Sequence, residues 1–209
     1  MTEAQKSVGD AIAAYKKEGK DSVSPAFRSI IRGMIETNTK TEFANDSYFD
    51  ALYLTDVMFG RAEQSVRLLT GPGLDKFLEA LEKPFRDLLE RLTKTGGFVR
   101  VVMLGSTMPA NLLALCKEFN KVLTIHRAST KEQLKHFIVC DSRMARLEEP
   151  HGDITESSLA TEIKARVYFN DPVKAEVFEK YFDTIWETVA QFPVNKEAAR
   201  SLDAALHAR

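Results

Sequence analysis

The stretch QLKHFIVCDSRMARLEEPH, residues 133–151, decides the fold of this chain. HFIVCD is an apolar run with β-branched residues, and the second run, SRMARLE, follows with almost no gap. Two such runs so close together predict an antiparallel β-hairpin. The first strand begins near a histidine, His136, and ends at an aspartate, Asp141. The question is whether these side chains perform chemistry or only border a buried strand.

Helical and strand-like segments alternate on both sides of this hairpin. Strands are predicted at SVRLLTG, FVRVVMLG, VLTIHR and IKARVYF, and helices at SYFDALYLTDVMFGRAEQ, LDKFLEALEKPFRDLLERL, MPANLLALCKEFN and VKAEVFEKYFDTIWETVAQF. Pro84 should kink or split the second of these helices. FVRVVMLG is apolar almost throughout, which is typical of a strand buried on both faces. The order predicts an α/β fold with a mixed sheet flanked by helices.

The first forty residues look helical and separate from the rest. Val8, Ile12 and Tyr15 lie at helical spacing, and Ser24 with Pro25 forms the expected start of a second helix. The polar segment TNTKTEFANDS is predicted to be a linker. We therefore divide the chain into a helical N-terminal extension (1–45), an α/β domain (46–190) and a C-terminal helix (191–209).

The bulk composition restricts the class of protein. The chain has 209 residues, 44% hydrophobic and 28% charged, which is enough apolar material for a core. Its net charge of -1 gives no overall basic excess of the kind that indicates nucleic-acid binding. Cys116 and Cys140 lie in apolar segments and are expected to be reduced. No apolar run approaches the roughly 20 residues that a membrane span needs. We therefore expect a cytoplasmic protein that has no membrane span.

Most short motifs with a known chemistry are missing from the sequence. It has no phosphate-binding G-x-x-x-x-G-K, no dinucleotide-binding G-x-G-x-x-G and no H-E-x-x-H, so we expect no cofactor. Thr70 and Ser106 each lie at the end of a predicted strand, where ligands gather in open α/β sheets, and both are candidate ligand-binding residues. The region also holds possible metal ligands: His126, His136, Asp141, Glu148, Glu149, His151 and Asp153. A metal site is disfavoured, because His136 and Asp141 are five apart on one strand and face opposite sides.

The hairpin resembles one motif that does carry chemistry. The phospholipase D superfamily has His-x-Lys-x(4)-Asp on a strand, followed by a Gly-Ser-x-Asn turn. From residue 46 onward the order of elements is similar to that of a phospholipase D-like domain. When Asp141 is aligned with the family's aspartate, Leu134 takes the place of the nucleophilic histidine and His136 that of the lysine. Glu148, Glu149 and His151 take the places of the glycine, serine and asparagine. Only the aspartate matches in kind.

This degenerate motif implies that the usual chemistry of the family has been lost, since leucine cannot act as a nucleophile. We therefore expect a non-catalytic binding or regulatory module. Arg146 and Glu148, two apart on one strand, share a face and are candidates for binding a phosphate-bearing ligand. Family members with a single motif pair to build one cleft, so the resemblance also implies a homodimer. A nucleotide, a nucleic acid or a protein is the expected partner.

Two alternatives stay open at this point. The chain could be an active phosphodiesterase or nuclease in which His136 takes over as nucleophile, supported by Asp141 and an arginine. It could also be a structural interaction protein that acts through its N-terminal helices. The sequence does not show whether His136 lies on the same face of the hairpin as Arg146 and Glu148.

Overall fold

A computed structural model describes residues 7–71, 74–105, 108–128, 134–149, 151, 154–161 and 163–191. Within these residues a mixed sheet of seven strands is flanked by helices on both faces, so the predicted α/β fold is confirmed. None of the helices described is long and apolar enough to span a membrane. The helix predicted beyond residue 191 lies outside the described residues.

The elements follow one another along the chain much as the sequence predicts. The helices are α1 (Val8–Glu18), α2 (Pro25–Glu36), α3 (Tyr48–Arg61), α4 (Leu74–Ala80), α5 (Glu82–Thr95), α6 (Ala110–Glu118) and α7 (Pro172–Gln191). The strands are β1 (Thr41–Asn45), β2 (Ser65–Thr70), β3 (Phe98–Leu104), β4 (Leu123–Ala128), β5 (His136–Cys140), β6 (Met144–Glu148) and β7 (Ala165–Phe169). The long amphipathic segment splits into α4 and α5, three residues before Pro84, as predicted.

The strand order across the sheet is β1-β7-β6-β5-β2-β3-β4. β2, β3 and β4 are parallel to one another, and the other pairs are antiparallel. Val99 and Val101 of β3 are buried in one apolar cluster, while Val102 lies in the cluster on the other side of the sheet. Burial on both faces explains why this strand reads as a continuous apolar run.

The predicted hairpin is formed by β5 and β6. Its register places His136 opposite Glu148 and Ile138 opposite Arg146. Residues directly opposite in an antiparallel pair project from the same face of the sheet. His136, Arg146 and Glu148 therefore lie on the same face of the sheet, which the sequence alone did not show.

The predicted linker is wrong, because residues 41–45 form β1, an edge strand paired with β7. The strand is short, and only Asn45 in it is fully buried, so its composition resembles that of a loop. The N-terminal helices also pack on the core, with Val8 and Tyr15 of α1 buried. The hydroxyl of Tyr15 donates a hydrogen bond of 2.7 Å to Asp56 in α3.

The two faces of the sheet carry different partners. α7 covers one face, where its Phe182 and Ile185 pack with Leu69 and Phe137. The other face is covered by α1, α3, α4 and α5 in a second and larger apolar cluster. His136 begins β5 on this second face, beside α1 and α4, and the candidate site lies there.

Candidate functional site

A cleft opens where the ends of β2, β5 and β6 meet α1, α4 and the segment after β6. Its lining includes eight polar residues: Thr70, Lys76, His136, Arg146, Glu148, His151, Thr155 and Glu156. Val8 and Ile12 of α1 and Phe77 of α4 form part of its apolar wall. Polar groups that converge in a largely apolar cleft are the usual composition of a ligand-binding site.

His136 fits into the cleft only because a glycine lies beneath it. A Cβ atom on residue 71 would lie 2.6 Å from Cε1 and 2.8 Å from Nε2 of the His136 ring, too close for any side chain. Gly71 therefore lets the imidazole lie directly against the end of β2. Burial lowers the pKa of His136 below its usual range, and the nearby Glu148 offsets only part of this effect. The ring is accordingly neutral at neutral pH.

Arg146 and Glu148 form an ion pair next to this histidine. Arg146 is only 3% exposed, and its Nη1 donates to Oε2 of Glu148 over 3.3 Å. Its Nε donates to Oδ1 of Asn45, itself buried at the end of β1, over 3.0 Å. Burial alone would raise the pKa of Glu148, but Arg146 and His151 outweigh it and hold the pKa at about 2. Glu148 is therefore a carboxylate throughout the physiological range.

One hydrogen-bond donor of the Arg146 guanidinium differs from the others in its contacts. Its Nη2 atom is buried and finds no hydrogen-bond partner within the part of the chain that the structure describes. An unsatisfied buried donor costs about 1–3 kcal/mol, so a guanidinium in this position favours a partner that accepts hydrogen bonds.

His151 completes the polar end of the cleft. Its Nε2 lies 3.6 Å from Oε1 of Glu148. The rings of His136 and His151 have centroids 5.0 Å apart and stand at 84° to each other. Each of His136, Glu148 and His151 offers one possible metal-ligating atom, and the three atoms lie within 4.8 Å of one another. The arrangement thus combines two imidazoles, a carboxylate and a buried guanidinium.

The structure brings together three of the predicted ligand-binding residues, Thr70, Arg146 and Glu148, and adds His136 to them. Ser106 lies outside the described residues. Asp141 is not brought to His136: it lies beyond the opposite end of β5, roughly 16 Å away at the rise of an extended strand.

The carboxylate of Asp141 has a backbone role instead. It accepts hydrogen bonds from the N–H groups of Glu63, Gln64 and Ser65, at 2.7 to 2.9 Å. These bonds fix the hairpin turn to the segment that enters β2. Leu134, at the position aligned with the family's nucleophile, is buried in the apolar cluster beneath α7.

Glu148 and His151 are recognisable in the sequence as possible metal ligands, but the sequence does not show that they meet His136. The missing information is the hairpin register. His136 and Glu148 are each six residues from Ser142, the centre of the turn, and so they pair across the two strands. A hairpin register centred on the short turn would have predicted that His136 pairs with Glu148. The approach of His151 depends on the path of the chain after β6 and has no comparable signal.

Comparisons with known proteins concern the fold. No family model matches the sequence, and no curated protein does. TrmBL2, an archaeal chromatin protein with a novel mode of DNA binding, superposes with a TM-score of 0.50 at 14% identity, over 82% of this chain and 62% of that one. The present chain thus spans less than two thirds of the length of TrmBL2.

Two further solved structures are related at a similar level. Nuc from Salmonella typhimurium, a phospholipase D family member, has a TM-score of 0.49 at 19% identity, over 71% of this chain and 95% of its own. NucT from Helicobacter pylori has a TM-score of 0.46 at 11% identity, over 71% and 96%. At these identities the likeness does not assign a role to any residue.

Proposed function

We propose that the chain is a non-catalytic, phospholipase D-like module that binds a phosphate-bearing ligand in this cleft. The observation that carries the proposal is the buried Arg146, whose Nη2 has no hydrogen-bond partner among the described residues. A guanidinium presents its donors as a planar fork that matches two oxygens of a phosphate. A phosphate oxygen would satisfy the remaining donor and recover part of its desolvation cost.

The position of Thr70 supports the same ligand class. It is the last residue of β2 and lines the cleft with Arg146. β2 runs parallel to β3, and ligands of open α/β sheets gather beyond the carboxyl ends of such strands. The Thr70 hydroxyl can donate to a phosphate oxygen at that end.

The non-catalytic part of the proposal depends on the residues that replace the family's motif. Leu134 has no nucleophilic atom. Lys135 is half exposed and pairs on the surface with Glu149, 3.1 Å away, so it does not serve a phosphate in the cleft. Asp141 is engaged by three backbone N–H groups.

The phosphate could be carried by a free nucleotide or by a nucleic acid, and the neighbour TrmBL2 is described as binding DNA. The homodimer expected from the resemblance is part of the proposal as well.

A phosphodiesterase is the second candidate, and the pairing of His136 with His151 favours it. Neutral His136 would attack phosphorus through a ring nitrogen, and protonated His151, held by Glu148, would give its proton to the departing alkoxide. Water would then attack the phosphohistidine, release a phosphomonoester and free His136, and give a proton back to His151.

Thermal unfolding with inorganic phosphate, a mononucleotide and a short single-stranded DNA tests the proposal. A ligand at 100 times its Kd stabilises by about 2.7 kcal/mol, which raises the Tm of a chain of this size by roughly 5–10 °C. The rise should be smaller in Arg146→Ala. Because that variant leaves Glu148 unpaired, Thr70→Val is a milder second test.

The control is Arg166→Ala, which removes an exposed arginine of β7 that pairs with Glu42 on the surface. Its ligand-induced rise in Tm should equal that of the wild type. The absence of any rise with all three ligands would contradict the proposal. Ligand cleavage that His136→Ala abolishes would favour the phosphodiesterase instead.

A further inference from the structure

We propose that His136, Glu148 and His151 form a binding site for a divalent transition metal of the zinc class. The inference goes beyond phosphate binding, because the metal ion alone is the ligand. It rests on the geometry of three side chains that come from two paired strands and the segment after them.

The distances fit a common metal. Zinc ligands lie about 2.0–2.2 Å from the ion, so two ligands of a tetrahedral site are roughly 3.3 Å apart. Oε1 of Glu148 and Nε2 of His151 are already 3.6 Å apart, and the ligating atoms of all three residues lie within 4.8 Å of one another. Small rotations of the side chains close the remaining gap. The perpendicular rings can both direct a nitrogen to one point without stacking.

Two of the three ligands are held on rigid backbone. His136 and Glu148 lie directly opposite each other on β5 and β6. Gly71 provides the space that the His136 ring occupies. These contacts place both side chains before any ion arrives, which lowers the cost of binding.

Glu148 is also oriented by a second layer of side chains. Its Oε2 accepts from Arg146, which is in turn held by Asn45, so Oε1 is left to face His151. Partners that fix a ligating carboxylate in this way are typical of metal sites.

The ligand set selects the metal class. Imidazole nitrogens suit zinc, cobalt, nickel and copper, whereas calcium and magnesium prefer oxygen ligands. Two histidines and one carboxylate leave a fourth position open on a tetrahedral ion. With Arg146, Lys76 and the ion against the carboxylates of Glu148 and Glu156, the cleft would still hold excess positive charge. If the proposed function is right, a phosphate oxygen is the natural fourth ligand.

Cobalt(II) titration of the full chain, first stripped with EDTA, tests the site. Cobalt substitutes for zinc, and its visible absorption reports the coordination geometry. We expect one equivalent to bind with the strong bands of a four-coordinate ion, and zinc to displace it. His136→Ala and His151→Ala should each abolish the bands.

The matched control is His126→Ala, since His126 lies on β4 against Trp186 and not in the cleft. This variant should bind cobalt as the wild type does. Far-ultraviolet circular dichroism of each variant verifies its fold. Absence of saturable cobalt binding, or bands that persist in folded His151→Ala, would overturn the proposal.

The metal proposal and the phosphate proposal can fail separately. The Tm rise with phosphate is measured once in EDTA and once with one equivalent of zinc. A rise in EDTA without cobalt binding would overturn the metal site and keep the phosphate site. Cobalt binding without a phosphate effect in either condition would support the metal site and overturn phosphate binding.

Discussion

Asp141 and His136 show how strongly the role of a residue depends on which end of a strand it occupies. The sequence places both in one motif, five residues apart. In the fold, His136 faces the cleft, whereas Asp141 binds three backbone N–H groups at the other end of β5. The sequence singles out both residues, but their separation into a cleft residue and a backbone anchor required the hairpin geometry.

Asp141→Asn is expected to lower the free energy of unfolding by about 2 kcal/mol, because the charge-assisted bonds to the backbone weaken. Asparagine tolerates the positive φ of 51° at this position, so the substitution isolates the loss of the carboxylate. Urea denaturation measures the change. The exposed Asp46→Asn is the control and should shift stability by less than about 0.5 kcal/mol. Loss of ligand binding in Asp141→Asn with unchanged stability would contradict the backbone role.

Gly71→Ala should weaken ligand and metal binding, since the new methyl group displaces the His136 ring. Gly60→Ala is the matched control: it lies in α3 with nothing within 4 Å of the added Cβ, and it should stabilise the helix by up to about 1 kcal/mol. The measurement is the ligand-induced change in Tm. Equal changes in the two variants would show that the position of the ring does not matter.

Among the secondary-structure elements, the sequence predicts the helices and strands that have a clear hydrophobic pattern. It does not predict β1, which is short and polar. The split of α4 from α5 follows from Pro84, and the buried strand β3 follows from its apolar run. β1 was missed because an edge strand needs few apolar residues, and its partner, β7, lies more than 100 residues later. Because β1 was missed, the sequence also did not predict that Asn45, at the end of this strand, orients Arg146 in the cleft.

α1 belongs to the N-terminal extension that looks separate in the sequence, yet it packs against α3 in the fold. Tyr15→Phe should lower the free energy of unfolding by about 1 kcal/mol, because Asp56 loses the hydroxyl that donates to it. Urea denaturation measures this loss. An unchanged unfolding midpoint in Tyr15→Phe would indicate that α1 is not coupled to the core.

At the scale of the whole molecule, the cleft exists because chain segments far apart in sequence meet at one end of the sheet. Thr70 and Gly71 come from β2, His136 and Glu148 from the hairpin, and the wall from α1 and α4. The sequence could list most of the polar members, but their meeting depends on strand order and register. The homodimer is a prediction at this scale.

Sedimentation equilibrium is expected to give twice the mass of one chain, 23.5 kDa, if the resemblance to paired members of the superfamily holds. The ligand-induced rise in Tm is measured again after the protein is diluted below the dimer's dissociation constant, and a mass of one chain would contradict the dimer. A rise that disappears on dilution would indicate that a second copy contributes to the site.

The cleft is proposed to bind a phosphate-bearing ligand without cleaving it. Phosphorus NMR of a simple phosphodiester mixed with the protein reports binding and cleavage in one experiment. We predict a broadened or shifted phosphodiester resonance with the wild type, a smaller effect with Thr70→Val, and no product resonance over a day. An unperturbed resonance would contradict binding, and a product resonance that His136→Ala removes would show that the cleft is an active site.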